Sequence, residues 1–571
     1  MDPSDAQLAH LKKLKSTSRP LAVRVAWFFF YPCFVYAAAY FLLTMPQVLT
    51  FNTHYFGDEH DGLMNAWNLW WFREAVLHGS GNPFFTDHLH FPRGVWLFGH
   101  TFQPLHGAVG LVLSAVLTPV QVYNTIITLT FVLTGLTTFW LCLRLTGGAY
   151  WPSIAGGYLF TFSSYHWGHA QGHMNLISLQ FIPLFVLCWM DFLSRPTWWR
   201  GVLAGLVLGL NIWIDYYHCL YSVMIGGMMF LWLALHRTRP GEGEGGAVRR
   251  RGLALGAFVL AALITCLPQV LALQWLDSVD PLHAGHFPWT YSADLSAIFI
   301  PGKIWFFNEL TRWSWGDLIG NDTENSIYLG LAGLVAAAVG VVKYRGANPS
   351  NPLEKSSLWV LMGFIFMILS FGPALRFRTE PIVGANMPYG LLEQVFPMLK
   401  ISGMPVRMMV MTMLCVSILA ARGLAWGRGP RTPRRVLAYV AFVLVMVLES
   451  LPRLLPTTPA TPPNWVLELS RLPEAGGVLD LKTQLPNRMA WHASIHGHPI
   501  ALGDVSRWPA SAESQKLWFR GLVRQGRWDE LRDRYGFGYV VTGHPIDHPR
   551  LKPVYQEDRV VYLYRFVDPK N

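Results

Sequence analysis

Residues 56–71 read FGDEHDGLMNAWNLWW and set Asp58, Glu59, His60 and Asp61 in four consecutive positions, ahead of two asparagines and three tryptophans. Carboxylates this close can serve as a general base, or as a base plus a metal ligand. Mutual repulsion and partial desolvation raise one of their pKa values toward neutrality. Advancing about 100° per residue along a helix from Gly57 gathers Asp58, Asp61, Asn65 and Asn68 on one side. Leu63, Met64, Trp67, Trp70 and Trp71 fall on the other, with Leu69 and Phe72 blurring the polar face. The expectation is an interfacial helix with its indoles among lipid headgroups and its carboxylates toward water. The plainer alternative is that the acidic residues only complement a helix N-terminus.

Other residues able to do chemistry are spread along the chain. In YHWGHAQGHMN, His166, His169 and His173 are spaced i, i+3, i+7, a stripe open to metal binding, to hydrogen bonding with sugar or phosphate, or to an ordinary interfacial loop. Asn175 lies within reach of the same pocket. Arg93, in the His-rich stretch with His100, suits a lipid phosphate; simple headgroup contact or an ion pair with Asp87 would explain it equally. Asp215, in NIWIDYYH, is a carboxylate at a membrane edge, read either as functional or as part of a short turn. Ser292, Asp294 and Arg407 complete the set, with snorkelling as the alternative for Arg407. No phosphate-binding glycine loop and no GxSxG nucleophile is present.

The elements that must position these residues are transmembrane. The 571 residues are 52% hydrophobic and 14% charged, and helical runs long enough for a bilayer recur. Apolar segments fall near 22–44, 105–119, 122–145, 151–164, 174–193, 201–217, 218–235, 252–275, 326–343, 357–373, 405–424 and 434–452. A polytopic α-helical membrane protein of about 11–12 transmembrane or re-entrant helices is expected. The net charge of +11 reflects basic clusters in short loops near the start and at 195–200, 237–252, 343–346 and 426–435. That pattern sets topology and implies no nucleic-acid partner. If 105–119 is re-entrant, every cluster is cytoplasmic, and loop 45–104, residues 165–175, loop 276–325 and the tail are extracytoplasmic. The first apolar run is expected to remain as an anchor, following a cytoplasmic segment 1–21. The six cysteines lie in or beside apolar segments and read as packing residues. After the Pro/Thr-rich PTTPATPPNW, residues 453–571 read as a soluble α/β domain with strands at 476–481, 537–543 and 559–566.

Asp58-Glu59, just after the first span, resembles the GT-C superfamily of membrane glycosyltransferases. GDEHDGLMNAWNLWW, NPFFTDHLHFPRGVWLFGHTFQPLHG, GHMNLISLQFIPL, YSADLSAIFIP, ENSIYLG, MPVRMM and HGHPIALGDVSR resemble, in order, a bacterial subgroup of that superfamily. The resemblance implies a GT-C-like membrane domain over 22–452 in a bacterial inner membrane, with the active-site loop and tail outside. It further implies a polyprenyl-phosphate-linked sugar as donor, an extracytoplasmic acceptor, Asp58 as base and Glu59 as its partner. Asp61 and Glu59 would orient the base, or Asp58 and Asp61 would hold Mg²⁺ or Mn²⁺. Asn65, Arg93, His100, His169, His173, Asn175, Asp215 and Arg407 are the expected substrate-binding residues. A transporter of lipid-linked saccharides and a non-catalytic envelope-assembly protein are the alternatives; the absence of repeat symmetry and the large loops speak against transport.

Overall fold

The computed structural model describes residues 20–79, 81–236, 245–283, 286–343, 351–383, 387–395, 399, 403–426 and 433–568. The basic clusters near the start and at 237–252, 343–346 and 426–435 lie wholly or partly outside them, as does most of the segment 1–21. Each of the twelve apolar segments contains a helix. Among the described residues five helices are long and apolar enough to cross a membrane: Leu21–Leu43, Pro119–Leu145, Tyr216–Leu235, Arg249–Val279 and Pro405–Trp426. The others are shorter. The segment at 105–119 shrinks to a 10-residue helix, Pro104–Leu113, about 15 Å long and half the depth of a hydrocarbon core. By length it falls short of a span, as do other apolar helices of 10–17 residues. The chain re-enters helix at Thr118, whose hydroxyl accepts from the Gln121 amide while the Gln121 side chain accepts from the Thr118 amide, with Pro119 at the first helical position.

Burial separates the bundle into an inside and a lipid face. In Pro405–Trp426, 89% of the most apolar window is buried within the protein, against 17% in both Leu21–Leu43 and Arg249–Val279. The first is therefore the axis of the bundle and the other two present their flanks to lipid. Gly201, Gly205 and Gly209 bring the Trp198–Ile212 helix against Ala254, Phe258, Ala261 and Thr265 of the Gly245–Val279 helix, a small-residue contact typical of helices packing in membranes.

The tail carries a four-stranded sheet in the order Leu551–Glu557, Val561–Phe566, Phe537–Thr542, Gly477–Asp480. Only the last pair is parallel. Three of these strands were expected from sequence. Leu551–Glu557 was not, because it is a mostly exposed edge strand containing Pro553, which lacks the apolar alternation of a buried strand.

Two expectations are corrected here. The Asp61–Leu77 helix does not lie with its tryptophans in the headgroups: Trp67 and Trp71 are 1% and 5% exposed and share a core with Trp465, Met489 and Val541 of the tail. The opposite face is also covered, since Leu69 and Phe72 pack on Gly110 and Gly107 of the Pro104–Leu113 helix. This explains why the polar side looked blurred. Likewise the Pro/Thr-rich stretch is no free tether, because Thr458–Pro459 pairs antiparallel with His54–Tyr55. Trp71→Ala is expected to cost about 3–5 kcal/mol and to expose residues 453–463 to limited proteolysis; wild-type Tm and cleavage pattern would contradict a shared core.

Candidate active site

Residues 57–62 and 171–173 approach one another so closely that side chains are excluded. A Cβ on Gly57 would meet the Tyr123 hydroxyl at 2.7 Å and Gly62 Cα at 3.1 Å, and one on Gly172 would meet Asp58 Oδ1 at 2.8 Å. The Asp58 amide donates to the Gln171 carbonyl at 2.7 Å. Asp58 Oδ1 accepts from the amides of His60 (3.1 Å) and Gly62 (2.9 Å) at the start of the helix. Asp58 thus satisfies two amides at the entry to the helix. Burial raises its pKa from the ordinary 3.8, the Gly62 hydrogen bond opposing and the charge of Asp61 adding to the rise. Glu59 forms an ion pair with Arg488 of the tail.

The approach delivers Asp61 to His173, with Oδ2 and Nε2 2.7 Å apart. His173 Nδ1 lies 2.8 Å from Nδ1 of buried His169, whose Nε2 lies 3.8 Å from Glu324 Oε2. Glu324 in turn receives Arg407 through Nε at 3.0 and 3.2 Å and through Nη2 at 2.5 Å. Arg407 also lies 4.9 Å over the ring of Tyr217. The electrostatics follow this order. Burial disfavours ionised Asp61, but the hydrogen bond and charge of His173 outweigh it and lower its pKa. Burial likewise disfavours charged His173, and Asp61 outweighs that to raise it. Burial and the charge of His173 hold His169 well below 6.5, hence neutral. The consistent proton assignment has His173 donating from Nε2 to Asp61 and from Nδ1 to His169.

Asp61, His173, Glu324 and Arg407, but not His169 behind them, line a cavity of about 540 Å³ together with His100, Asn175, Asp215, Tyr217 and, from the tail, Asp504, Ser506, Arg507, Trp508 and Glu513. Asn175 donates to Asp215 Oδ2 at 2.6 Å, and Asp215 Oδ1 caps the Tyr216–Leu235 helix by accepting from the Tyr217 amide at 2.7 Å. Asp215 therefore both caps the turn and lines the cavity. His100 lies with Nε2 3.0 Å from Asn68 Oδ1 and accepts at Nδ1 from the Ser506 amide at 3.1 Å; burial lowers its pKa to about 3, leaving it neutral. Burial and the charge of Asp61 raise Asp504 above the ordinary carboxylate value.

Several expected residues take other places. Asn65 is fully buried and donates to the carbonyls of Asp61 and Gly172 (2.8 and 2.7 Å), fixing the turn without lining the cavity. Arg93 points outward to Asp280 at 3.7 Å, not to Asp87. His166 leaves the stripe, its nitrogens 2.7 and 2.8 Å from the carbonyls of Thr161 and Ile177, because helix Ser164–His169 ends before His173. Asp294 caps helix Leu295–Phe299 and binds the amides of Arg378 and Thr379, while the Ser292 hydroxyl donates to the Pro288 carbonyl; neither lines the cavity. The sequence reading missed Glu324, although ENSIYLG contains it, and the tail residues. A lone carboxylate just ahead of an apolar segment, in a chain whose MPVRMM places one arginine at the head of another, was the available signal.

A divalent cation was expected on Asp58 and Asp61. The donor atoms that lie together, within 4.8 Å of one another, belong instead to His169, His173 and Glu324, and His169 Nε2 has no hydrogen-bond partner among the described residues. Two imidazoles and a carboxylate fit Mn²⁺ or Zn²⁺ better than Mg²⁺, which prefers oxygen ligands.

The polar cavity is walled by long loops and by the ends of apolar helices, and the fold of the chain is similar to that of a glycosyltransferase of known structure. The chain superposes on the arabinofuranosyltransferase AftD from Mycobacteria with a TM-score of 0.58 at 15% identity, over 94% of this chain and 40% of that one. It spans well under half the length of that enzyme. Less close are the archaeal oligosaccharyltransferase AglB from Archaeoglobus fulgidus, in complex with an inhibitory peptide and a dolichol-phosphate (TM-score 0.42, 14% identity, 90% and 69% coverage), and ArnT from Cupriavidus metallidurans bound to undecaprenyl phosphate (0.38, 13%, 95% and 98%). The fold assignment rests on the first. Residues 33–448 match the family described as Domain of unknown function (DUF6311), and the chain belongs to it. No protein of curated function matches the sequence.

Two measurements check the electrostatics. Arg407→Ala is expected to cost about 3–5 kcal/mol by stranding Glu324, with Arg407→Met/Glu324→Leu regaining most of it; a single variant of unchanged Tm would contradict the pairing. The Asp61 contribution is present above its ordinary 3.8 and is lost as pH falls through its lowered folded value. That of His173 is present below 6.5 and is lost as pH rises through its raised folded value. The Tm difference between wild type and His173→Gln is therefore expected to be greatest between those two ordinary values and to narrow on either side.

Proposed function

We propose that this chain is an integral-membrane glycosyltransferase that moves a sugar from a polyprenyl-phosphate donor to an acceptor hydroxyl on the extracytoplasmic side of a bacterial inner membrane. The observation that carries the reading is the row Asp61–His173–His169–Glu324–Arg407 ending in a cavity of about 540 Å³. Asp61 is the base in this reading, in place of Asp58. Its Oδ2 is held by His173, and its Oδ1 has no hydrogen-bond partner among the described residues, so it is free to receive a proton.

The acceptor hydroxyl oxygen attacks the anomeric carbon, its proton passing to Asp61. The bond from that carbon to the phosphate oxygen breaks, and the electron pair leaves on the lipid phosphate with inversion at carbon. His173 keeps Asp61 oriented and anionic until the proton arrives. A cation must meet the phosphate, and the two arginines expected there are engaged: Arg93 faces out, and Arg407 is neutralised by Glu324. Arg507 lines the cavity and has no ion-pair partner among the described residues, its Nη1 donating to the Gly99 carbonyl at 3.3 Å. It is the proposed phosphate ligand. A divalent cation, when held by His169, His173 and Glu324, would add positive charge near the leaving group.

Asp61→Asn is expected to slow sugar transfer from the lipid by about 10²–10⁴-fold without changing the lipid-linked sugar that co-purifies, as measured by mass spectrometry. Asp58→Asn keeps an oxygen for the His60 and Gly62 amides, and is expected to leave stability nearly unchanged and to keep transfer within about tenfold. Wild-type transfer by Asp61→Asn would sink the assignment; movement of intact lipid-linked saccharide across vesicles, without transfer, would favour a carrier.

A further inference from the structure

HGHPIALGDVSR stood out in the sequence, and its last residues form a wall of the cavity. The stretch is latched from two sides. The Ser506 hydroxyl lies 2.9 Å from the Thr101 hydroxyl, and its amide donates to His100. Trp508–Pro509 pairs with Leu282–His283, while the Ser511 amide donates to Asp280 at 3.0 Å. Held this way, Asp504, Trp508 and Glu513 line the same volume as Asp61 and Asp215. Asp504 Oδ1 accepts from Trp508 Nε1 at 3.1 Å, which fixes indole and carboxylate as a unit. Asp504 is half-buried and Glu513 exposed at the rim, so a ligand can reach both.

Five carboxylates line this volume; Glu324 is paired with Arg407, which leaves Asp61, Asp215, Asp504 and Glu513 to define what can enter it. Ionised carboxylates only accept hydrogen bonds, so the ligand must be rich in donors. Arg507 supplies one cationic place in the cavity, for the donor phosphate; beside Asp504 and Glu513 a second anionic group is disfavoured, since like charges brought together repel. An indole beside them offers an apolar surface. A neutral saccharide meets these demands, with many hydroxyl donors and apolar C–H faces.

We propose that Asp504, Trp508 and Glu513 form the acceptor subsite, and that the acceptor is a hydroxyl of a neutral saccharide rather than of an acidic glycan or a peptide. The inference rests on the transferase reading, for the subsite adjoins the proposed base. The test uses full-length protein in nanodiscs and saturation-transfer NMR with methyl glycosides of neutral hexoses and pentoses, glucuronic acid and a serine-containing tetrapeptide. Lipid in the same samples is measured by mass spectrometry. A neutral glycoside is expected to bind, and Asp504→Asn and Glu513→Gln each to weaken it roughly tenfold, with co-purifying lipid unchanged. Glu513 is on the rim, so its variant keeps the fold; a matching size-exclusion profile checks this for Asp504→Asn. Tighter binding of the uronate or the peptide, binding unaffected by either variant, or no glycoside bound by wild type that retains lipid-linked sugar would overturn the subsite. Glycoside binding that depends on Asp504 in protein devoid of any lipid-linked sugar would instead uphold the subsite and remove the donor assignment.

Discussion

A guanidinium cannot remain unpaired at the head of the most enclosed helix in a membrane bundle, and much of the site follows from that constraint. Arg407 satisfies it with Glu324, a residue from a loop 83 positions away. The pairing fixes residues 321–326, and these fix the next segment: Gly168 abuts Ser326 and the Thr323 carbonyl, and Gln171 donates to the Thr323 hydroxyl at 3.0 Å. With 168–171 held, His169 faces Glu324, His173 faces His169, and Asp61 is met by His173. The cost of burying one charge thus becomes the positional order of five groups. A buried ion pair adds little net stability; its value here is register.

The membrane class and the position of every apolar helix were legible because they depend on local apolar length. Most of the pocket's polar residues were legible as well. His173, Asn175, Asp215 and Arg407 are unusual residue types in or beside apolar segments, and desolvation cost makes such residues conspicuous. The choice between Asp58 and Asp61 was not legible. Both lie on one helix face, and what separates them is that the Asp58 carboxylate accepts from the nearby amides of His60 and Gly62, whereas Asp61 meets the imidazole of His173, more than a hundred positions away. The interfacial placement of the first-loop helix failed for a related reason. An apolar face specifies that it will be covered, but tail side chains and lipid are equally good covers in composition.

The tail changes meaning once its contacts are seen. Its sheet is self-contained, yet its helix Pro486–His496 packs on the first-loop helix, Arg488 binds Glu59, and residues 504–513 complete the cavity. Loop and tail are better regarded as one body laid across the helix ends, with the cavity beneath. Reading 453–571 as an appended unit followed the change in composition at the proline-rich stretch, which marks the exit from the membrane and not the edge of a core.

That the cavity is walled by residues from 61 through 513 has a consequence for how the protein is made. Helices insert in the order of synthesis, but Glu324 arrives long after Asp61, and the wall at 504–513 arrives after every helix of the bundle. While the chain is growing, Asp61 lies in a loop whose opposing cavity walls have not yet been made. The enclosed cavity comes into being only near the end of translation. Abandoned fragments therefore lack one.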